Sequence, residues 1–177
     1  MHKQLIELAM QAGATKAEII SVDQIITSAE FREACRQNLC GQWGRCWMCP
    51  PDAGDIGELM AKVRQYSHAV WYQTVGELED SFDVEGMVEA KKKHFRCTYT
   101  LEDAAKKLVG DHLHLTCGAC GLCERCARRD DQPCRFPEKA LSSLEAYGID
   151  VYQTTRSTGL KYINGQDTVT YFGALLF

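Results

Sequence analysis

Nine of the ten cysteines in this chain fall into two short groups, and thiols at such spacing are potential metal ligands. The first group contains Cys35, Cys40, Cys46 and Cys49, and the second contains Cys117, Cys120, Cys123, Cys126 and Cys134. The second group repeats a C-x2-C step from Cys117 to Cys126, and Pro137 follows shortly after Cys134. A chain that loops in this way can wrap thiolates around one inorganic centre. Both groups therefore predict metal chemistry.

Disulfide pairing is the competing use of so many cysteines, and it depends on the compartment. The residues before the first cysteine group include the acidic Glu7 and Glu18 and lack an uninterrupted apolar core followed by a small-residue cleavage site. This pattern is not that of a secretory signal. We therefore expect a cytoplasmic protein, in which the thiols remain reduced and free to bind metal.

The spacing of the cysteines favours iron–sulfur clusters and leaves zinc open. A structural zinc site uses two C-x2-C hooks separated by a dozen or more residues, whereas the hooks of the second group overlap. Three thiolates at successive third positions suit three corners of a cluster, and a cysteine near a proline supplies the fourth, as in bacterial ferredoxins. Cys134 and Cys49, which precedes Pro50, are candidates for that fourth position. In the zinc alternative, Cys46 and Cys49 form the hook opposite Cys117 and Cys120.

The number of cysteines also exceeds the need of one tetrahedral ion. Two four-iron clusters with four thiolate ligands each would use nearly all of the nine clustered cysteines. Two zinc ions would fit the same number.

The charge of the chain limits its partners. A net charge of -4 and a pI near 5.7 provide no broad positive field for a phosphate backbone, so we expect no nucleic-acid partner. The longest apolar runs are too short to cross a bilayer, so we expect no membrane association. The basic run from Lys91 to Arg96 is either a solvated helix face or a docking patch for an acidic redox partner. A redox partner protein is the expected partner, and the oligomeric state is left open.

Residue patterns along the chain predict alternating helices and strands. Helical spacing and capping residues predict helices over residues 2–12, 55–66, 84–109 with a break near Thr98, and 137–147. Short apolar or alternating runs predict strands over residues 17–22, 68–75, 112–116, 149–153 and 168–176. We expect a single cysteine-rich metal-binding domain over residues 1–177, with an α/β or α+β fold. Its mixed β-sheet would be flanked by helices and would carry the two cysteine-rich loops.

Several further residues have both a structural and a functional interpretation. We expect Cys97 to pack in the core as a small apolar side chain. His112 and His114 should face the same side of a strand and form local hydrogen bonds or face solvent, with metal binding as the alternative. Trp43 and Trp47 either shield a metal site from water or pack in the core.

Three blocks of sequence resemble a family of small cysteine-rich proteins described only as predicted metal-binding proteins, found in anaerobic bacteria and archaea. The blocks are Cys35-x4-Cys40-x2-Trp43-Gly44-Arg45 running to Cys49-Pro50-Pro51, Cys120-x2-Cys123-x2-Cys126-x7-Cys134-Arg135-Phe136-Pro137-Glu138-Lys139, and Glu145-Ala146-Tyr147-Gly148-Ile149-Asp150-Val151. The family usually has tyrosine where this chain has Trp43. The resemblance implies no established reaction.

The resemblance also implies two ligand groups. One group is Cys35, Cys40 and Cys49, and the other is Cys120, Cys123, Cys126 and Cys134. Cys46 and Cys117 lie outside the family pattern, and spacing makes Cys117 the better candidate to complete a site. The expected metal ligands are therefore Cys35, Cys40, Cys49, Cys117, Cys120, Cys123, Cys126 and Cys134.

The function expected from the sequence is electron transfer. We expect an iron–sulfur protein, with two four-iron clusters, that carries electrons or delivers them to a partner enzyme in anaerobic metabolism. One alternative is a zinc protein in which the cysteines staple loops of a protein-interaction module. A further alternative is a reductase, in which the three-cysteine group leaves one iron open to a substrate. The chain has no G-x-S-x-G, Walker or H-E-x-x-H motif, so hydrolase and nucleotide-binding functions have no support from motifs.

Overall fold

The computed structural model describes residues 1–177 and has five α-helices and four β-strands. The helices are α1 His2–Ala12, α2 Glu30–Arg36, α3 Ile56–Val63, α4 Val84–Ala105 and α5 Val151–Arg156. The strands are β1 Lys16–Ser21, β2 His68–Glu77, β3 Leu113–Leu115 and β4 Thr168–Leu176. Helices and strands follow one another along the chain without a regular alternation, and the strands form one antiparallel sheet. The expected α+β class is confirmed.

The four strands form one sheet in the order β1-β2-β4-β3. Lys16 lies opposite Gln73 in the β1–β2 pair, Ala69 lies opposite Leu176 in the β2–β4 pair, and Leu113 also lies opposite Leu176 in the β3–β4 pair. All three pairings are antiparallel, whereas the sequence predicted a mixed sheet. A parallel strand pair requires a long crossover connection, and here only the isolated bridge between Thr116 and Ser143 is parallel.

Each face of the sheet is covered by its own hydrophobic core. Along β2, alternate side chains point to opposite faces, so Trp71 belongs to one core and Tyr72 to the other. The Tyr72 side is covered by α1 and α4, which contribute Leu5 and Leu101 among others. The Trp71 side is covered by α3 and by the irregular segment around Leu144. The cysteine loops therefore belong to a protein whose sheet is packed on both sides.

Capping residues fix the ends of the helices as the sequence predicts. Gly13 ends α1 with φ 109°, and its N–H donates to the carbonyls of Ala9 and Met10, which is the usual glycine C-cap. Asp55 begins α3 by accepting hydrogen bonds from the N–H groups of Gly57 and Glu58 at 2.8 and 3.2 Å. The predicted helix over residues 2–12 and the predicted strands near residues 17–22, 68–75, 112–116 and 168–176 are confirmed.

Three predictions about the elements are wrong. The helix α4 continues through Thr98 without a break, because that side chain is fully buried and hydrogen-bonds Tyr72 and not its own backbone. Residues 137–147 form turns and a short 3₁₀ helix, Glu145–Tyr147, in place of the predicted helix. Residues 149–153 form no strand, and Val151 begins α5 after the N-cap Asp150, which accepts a hydrogen bond from the N–H of Gln153. Tertiary contacts override the local pattern in each segment.

None of the helices is both long enough and apolar enough to span a membrane.

Candidate metal centre

The first cysteine group lies on α2 and on the turns that follow it. Cys35 is in the last turn of α2, a helix that contributes no residue to the core. The side chain of Arg32 holds this helix in place by donating to the carbonyls of Gly54 at 2.7 Å and Ala146 at 3.3 Å. Burial and the nearby Cys40 raise the pKa of the Cys35 thiol, while Arg32 opposes that shift. The position of Cys35 therefore depends on polar contacts and not on apolar packing.

Cys35, Cys40 and Cys49 line one cavity of about 370 Å³. The same cavity is also lined by Gln42, Trp43, Pro50, Lys91, Gly118, Ala119, Ser143 and Glu145. The three thiols that the family resemblance groups together are therefore brought to one place. A single zinc ion holds its sulfur ligands at ~2.3 Å, whereas these thiols border a space for a much larger group.

Four of the expected ligands in the second cysteine group share another cavity. Cys120, Cys123, Cys126 and Cys134 line a small cavity of about 20 Å³, together with Cys46, Trp47, Met48, Leu122, Phe136 and Ala140. Every lining residue is apolar or a thiol, and most of these residues are partly buried. Burial raises the pKa of the Cys120 thiol. These four cysteines therefore lie together in the environment that protects a metal centre from solvent.

Cys46 lies between the two groups. Its buried thiol lines the second cavity and lies close enough to the thiols of Cys49 and Cys126 for each to lower its pKa. The proximity of Cys46 and Cys49 lowers the pKa of Cys46 and, together with burial, raises the pKa of Cys49. The spacing of the cysteines left the role of Cys46 open, because its proximity to Cys126 joins distant parts of the chain.

Cys117 lies apart from the other expected ligands. It borders a separate cavity with Leu144, Glu145, Tyr171 and Phe172, and it is not among the residues that line the other two cavities. Burial raises the pKa of its thiol to about 12. The spacing that favours Cys117 as a ligand is regular, but the backbone turns at Gly118, where φ is 61°. This turn directs Cys117 and Cys120 to different surroundings.

Direct contacts brace the two cysteine loops against each other. The indole N–H of Trp47 donates to the carbonyl of Gln132 at 2.9 Å. The guanidinium of Arg128 donates to the carboxylate of Asp52 at 2.8 Å and lies over the ring of Trp47 at 5.0 Å from its centroid. The hydroxyl of Ser142 donates to the carbonyl of Met48 at 2.9 Å. Trp47 and Met48 therefore border the second cavity and also join the loops.

Lys91 of α4 lies beside thiols of both groups. It lines the cavity of Cys35, Cys40 and Cys49 and also a third, open cavity that contains Cys46, Cys120 and Cys123. Its Nζ atom would lie 2.9 Å from a Cβ atom placed at Gly118, so the ammonium group lies directly beside the backbone of the second cysteine group. The basic run from Lys91 to Arg96 is thus not uniformly solvated. His94 within it is fully buried, and burial lowers its pKa to about 3.

His112 and His114 contact Glu102 of α4, and none of the thiols. The Nε2–H of His112 and the Nδ1–H of His114 donate to the Glu102 carboxylate at 3.0 and 2.8 Å. The hydroxyl of Tyr72 donates to Nε2 of His114 at 2.9 Å and accepts from Thr98 at 2.8 Å. Although burial opposes the shift, the two histidines lower the pKa of Glu102 to about 2. The predicted shared side and local hydrogen bonds of the two histidines are confirmed, as is the burial of Cys97.

The donor atoms of this region suit a metal, although no three Cys, His, Asp or Glu side chains converge as ligands of one ion. Thiolates are the soft ligands preferred by zinc and by iron–sulfur clusters. The buried hydroxyl of Tyr99 has no hydrogen-bond partner, and it lies close enough to Cys120 to have its pKa raised, first by burial and then by that thiol. A group bound at Cys120 could accept this hydrogen bond. The residues therefore fit a bound metal group.

Comparison with known proteins places the chain among metal-binding proteins. A family described as "Predicted metal-binding protein (DUF2284)" matches residues 18–177. No curated protein matches the chain significantly. No solved structure matches it significantly either.

Proposed function

Because the chain belongs to the DUF2284 family of predicted metal-binding proteins, we propose that its cysteine loops hold iron–sulfur clusters and transfer electrons. The observation that carries this proposal is the pair of thiol-lined cavities, with the thiol of Cys46 lining the second cavity close to Cys49 of the first. Two adjacent redox centres in one small protein suit electron transfer better than a purely structural role. Such a protein would act in the reducing cytoplasm, where thiolates persist.

We propose that the cysteines lining each cavity are the ligands of one cluster. Cys35, Cys40 and Cys49 would hold one cluster, and Cys120, Cys123, Cys126 and Cys134 would hold the other. Cys46 would donate a hydrogen bond or replace one of these thiolates, and Cys117 is left out because it borders neither cavity. A bound iron–sulfur cluster supplies the one-electron redox chemistry.

The protein's own residues would tune that chemistry. Trp47, Met48 and Phe136 give the second cavity an apolar wall, and apolar surroundings strengthen the electrostatic interactions within it. The ammonium of Lys91 lies at the first cavity and in an open cavity beside Cys120 and Cys123, and it would favour added negative charge at these thiols. Solvent exposure and hydrogen bonds to sulfur are among the properties that set the potential of a cluster.

The surface beside the second group suits an acidic redox partner. Arg45, Arg125, Arg128 and Arg129 line an open cavity of about 420 Å³ with no apolar side chain. Arg125 is paired with Asp130, and Arg128 is paired with Asp52 and Asp131, whereas Arg45 and Arg129 form no ion pair. Complementary charge of this kind steers weak and transient protein encounters. An acidic electron carrier is the partner that we propose for this surface.

Two alternatives each have one observation in their favour. The small volume of the second cavity, about 20 Å³, suits a single zinc ion held by four thiolates, and the protein would then be a metal-stapled interaction module. The larger volume of the first cavity and its three thiols suit a reductase with one iron open to a substrate. The first alternative contains no redox centre, and the second contains an additional substrate site.

Metal analysis and spectroscopy of protein purified without oxygen test the proposal. We expect a brown protein with iron and acid-labile sulfide for two clusters and a broad visible absorption that dithionite bleaches. Replacing Cys126 by serine should reduce the iron content by up to half, because it removes one ligand of the second group alone. Cys97→Ser is the matched control, since Cys97 is buried in the core away from both groups. A colourless protein that contains zinc would overturn the proposal in favour of the interaction module.

A further inference from the structure

The three-cysteine cavity lacks one ligand for a four-iron cluster. A cluster of this type has four irons and in simple cases takes one cysteine thiolate at each. Cys35, Cys40 and Cys49 are the only thiols among the residues that line the cavity. The fourth iron would therefore need a ligand of another chemical type, or solvent.

Glu145 is the side chain in this cavity best suited to that position. The other polar side chains in the lining are Gln42, Lys91 and Ser143. An amide and a neutral hydroxyl are weak ligands, and a protonated lysine has no free electron pair. Carboxylate oxygen, by contrast, is a regular protein ligand of iron. Glu145 lies close enough to Cys35 for its charge to affect that thiol.

The fold holds Glu145 at the cavity wall. Glu145 begins a 3₁₀ turn that ends at Gly148, where φ is 73° and an added Cβ would lie 3.0 Å from the carbonyl oxygen of Ser28. The backbone before the turn is fixed to β3 by the hydrogen bond from the N–H of Leu144 to the carbonyl of Thr116 at 2.9 Å. The backbone after it is fixed by the hydrogen bond from the N–H of Ser28 to the carbonyl of Gly148 at 2.7 Å. The carboxylate is thus presented by a rigid segment.

The half-buried carboxylate of Glu145 shares the cavity wall with Lys91 and Ser143 but forms no salt bridge with a lysine, arginine or histidine. Taking a carboxylate from water without a partner is costly unless a cation or a strong hydrogen-bond donor compensates. Coordination to iron supplies that compensation. Cys117, the thiol expected from spacing, borders a different cavity on the other side of Glu145.

We propose that Glu145 is the fourth ligand of an iron–sulfur cluster in the three-cysteine cavity, beside the thiolates of Cys35, Cys40 and Cys49. This assignment rests on the proposed function, because it requires that the cavity holds a cluster. It gives the two centres different chemistry, since the second group supplies thiolates alone. The iron bound to Glu145 would be the most easily lost or exchanged of the cluster.

Controlled oxidation of the anaerobically purified full chain tests this assignment. On treatment with ferricyanide, the cluster gives one electron to the oxidant and releases its oxygen-ligated iron as a ferrous ion. A three-iron cluster remains. We expect the wild-type protein to develop the electron paramagnetic resonance signal of an oxidised three-iron cluster and to release about one iron per chain, as expected for one non-thiolate iron site.

Variants at position 145 distinguish the ligand from its neighbours. Glu145→Cys should retain its iron under ferricyanide and show no three-iron signal, because the fourth ligand becomes a thiolate. Glu145→Gln, which conserves the side-chain size, should already lack about one iron per chain before any oxidant is added, and should give the three-iron signal with ferricyanide without releasing further iron. Cys117→Ser should behave as the wild type, as should the control Glu138→Ala, which changes an exposed glutamate in the second loop.

The outcomes separate this assignment from the proposed function. Wild-type behaviour of both Glu145→Cys and Glu145→Gln in a protein that contains iron and sulfide would overturn the assignment alone. The absence of about one iron per chain from untreated Cys117→Ser would overturn it in favour of Cys117 as the fourth ligand. Zinc in place of iron in the wild type would overturn the proposed function, and the assignment with it.

Discussion

Single residues of α4 connect the buried interior to polar groups on β2 and β3. Glu102 accepts hydrogen bonds from His112 and His114, and His114 accepts one from Tyr72. A buried network of this kind is stabilising only if every member has its partner. Each member also belongs to an element that packs against the sheet, so the network joins α4 to β2 and to the segment around β3.

The ionised state of Glu102 should make the folded state sensitive to acid. Its pKa is lowered from 4.5 to about 2 in the folded protein, so its contribution to stability is complete above pH 4.5 and is lost as the pH falls towards 2. Glu102→Gln should lower the free energy of unfolding near neutral pH by ~1–3 kcal/mol and should weaken its dependence on pH within that interval. Urea unfolding across this pH range measures both effects.

An exposed glutamate on the same helix provides the control for this experiment. Glu85 lies in the first turn of α4 and is exposed, so Glu85→Gln should leave the acid dependence unchanged. Equal slopes for the wild type and Glu102→Gln between pH 4.5 and 2 would contradict the assigned role of Glu102.

Helix α4 packs very close to the sheet where it crosses Gly76 of β2. An added Cβ at Gly76 of β2 would lie 2.4 Å from the Cβ of Ala90 in α4. Contacts this short force the helix away from the sheet, and overpacking of this kind costs ~1–3 kcal/mol. The helix carries Lys91 to the cavities and Glu102 to the histidines, so its position affects both sites.

Gly76→Ala should therefore destabilise the protein through the contact of α4 with the sheet. We expect a decrease of ~1–3 kcal/mol in the free energy of unfolding, measured by chemical denaturation. Gly110→Ala is the matched control, because an added Cβ at Gly110 meets no atom within 4 Å, and it should be near neutral. A loss of stability in Gly110→Ala equal to that in Gly76→Ala would show that the close contact is not the cause.

Local sequence patterns predicted the elements whose environment is regular. The α1 helix has its apolar residues at helical spacing and ends at a glycine, and β2 is a nearly continuous apolar run, so both follow directly from sequence. Residues 137–147 have helical periodicity, yet Leu144 and Ala146, like Ile149 after them, are buried in the core outside any α-helix. Tertiary hydrogen bonds such as that from Leu144 to Thr116 decide their backbone.

The candidate site also depends on tertiary contacts that local sequence patterns do not reveal. The C-x2-C spacing predicted that Cys120, Cys123 and Cys126 lie close together, and they line one cavity, because short spacing restricts the positions of the thiols. Spacing left Cys46 open and favoured Cys117, whose surroundings depend on contacts between distant segments. Glu145 and Lys91 were not predicted as site residues, since only the folded chain brings them to the first cavity.

The whole molecule combines a well-packed sheet with polar, loosely packed cysteine loops. The sheet is covered on both faces by separate cores, whereas residues 30–54 and 117–137 contribute few core residues. Regions with few buried apolar contacts open most easily. We infer that metal binding orders the loops without being needed by the sheet.

Hydrogen–deuterium exchange with and without metal tests whether metal binding orders the cysteine loops and leaves the sheet unaffected. After chelation, amides in residues 30–54 and 117–137 should exchange faster, whereas those of β2, β4 and α4 should keep most of their protection, because both cores remain intact. Exchange in the metal-bound protein is the reference. Loss of protection throughout the sheet after chelation would instead show that metal binding and folding are one event.

The strand order also has a consequence for how the protein is made. The last strand in sequence, β4, lies between β2 and β3 and pairs with both. The strands β2 and β3 are synthesised before β4 and cannot complete their pairing until β4 has left the ribosome. Contacts between distant parts of the chain also form slowly. Both cysteine loops are therefore synthesised before the scaffold that holds them is complete. During that interval the nascent thiols are accessible to oxidation, so newly made protein should be more sensitive to oxygen than the finished fold.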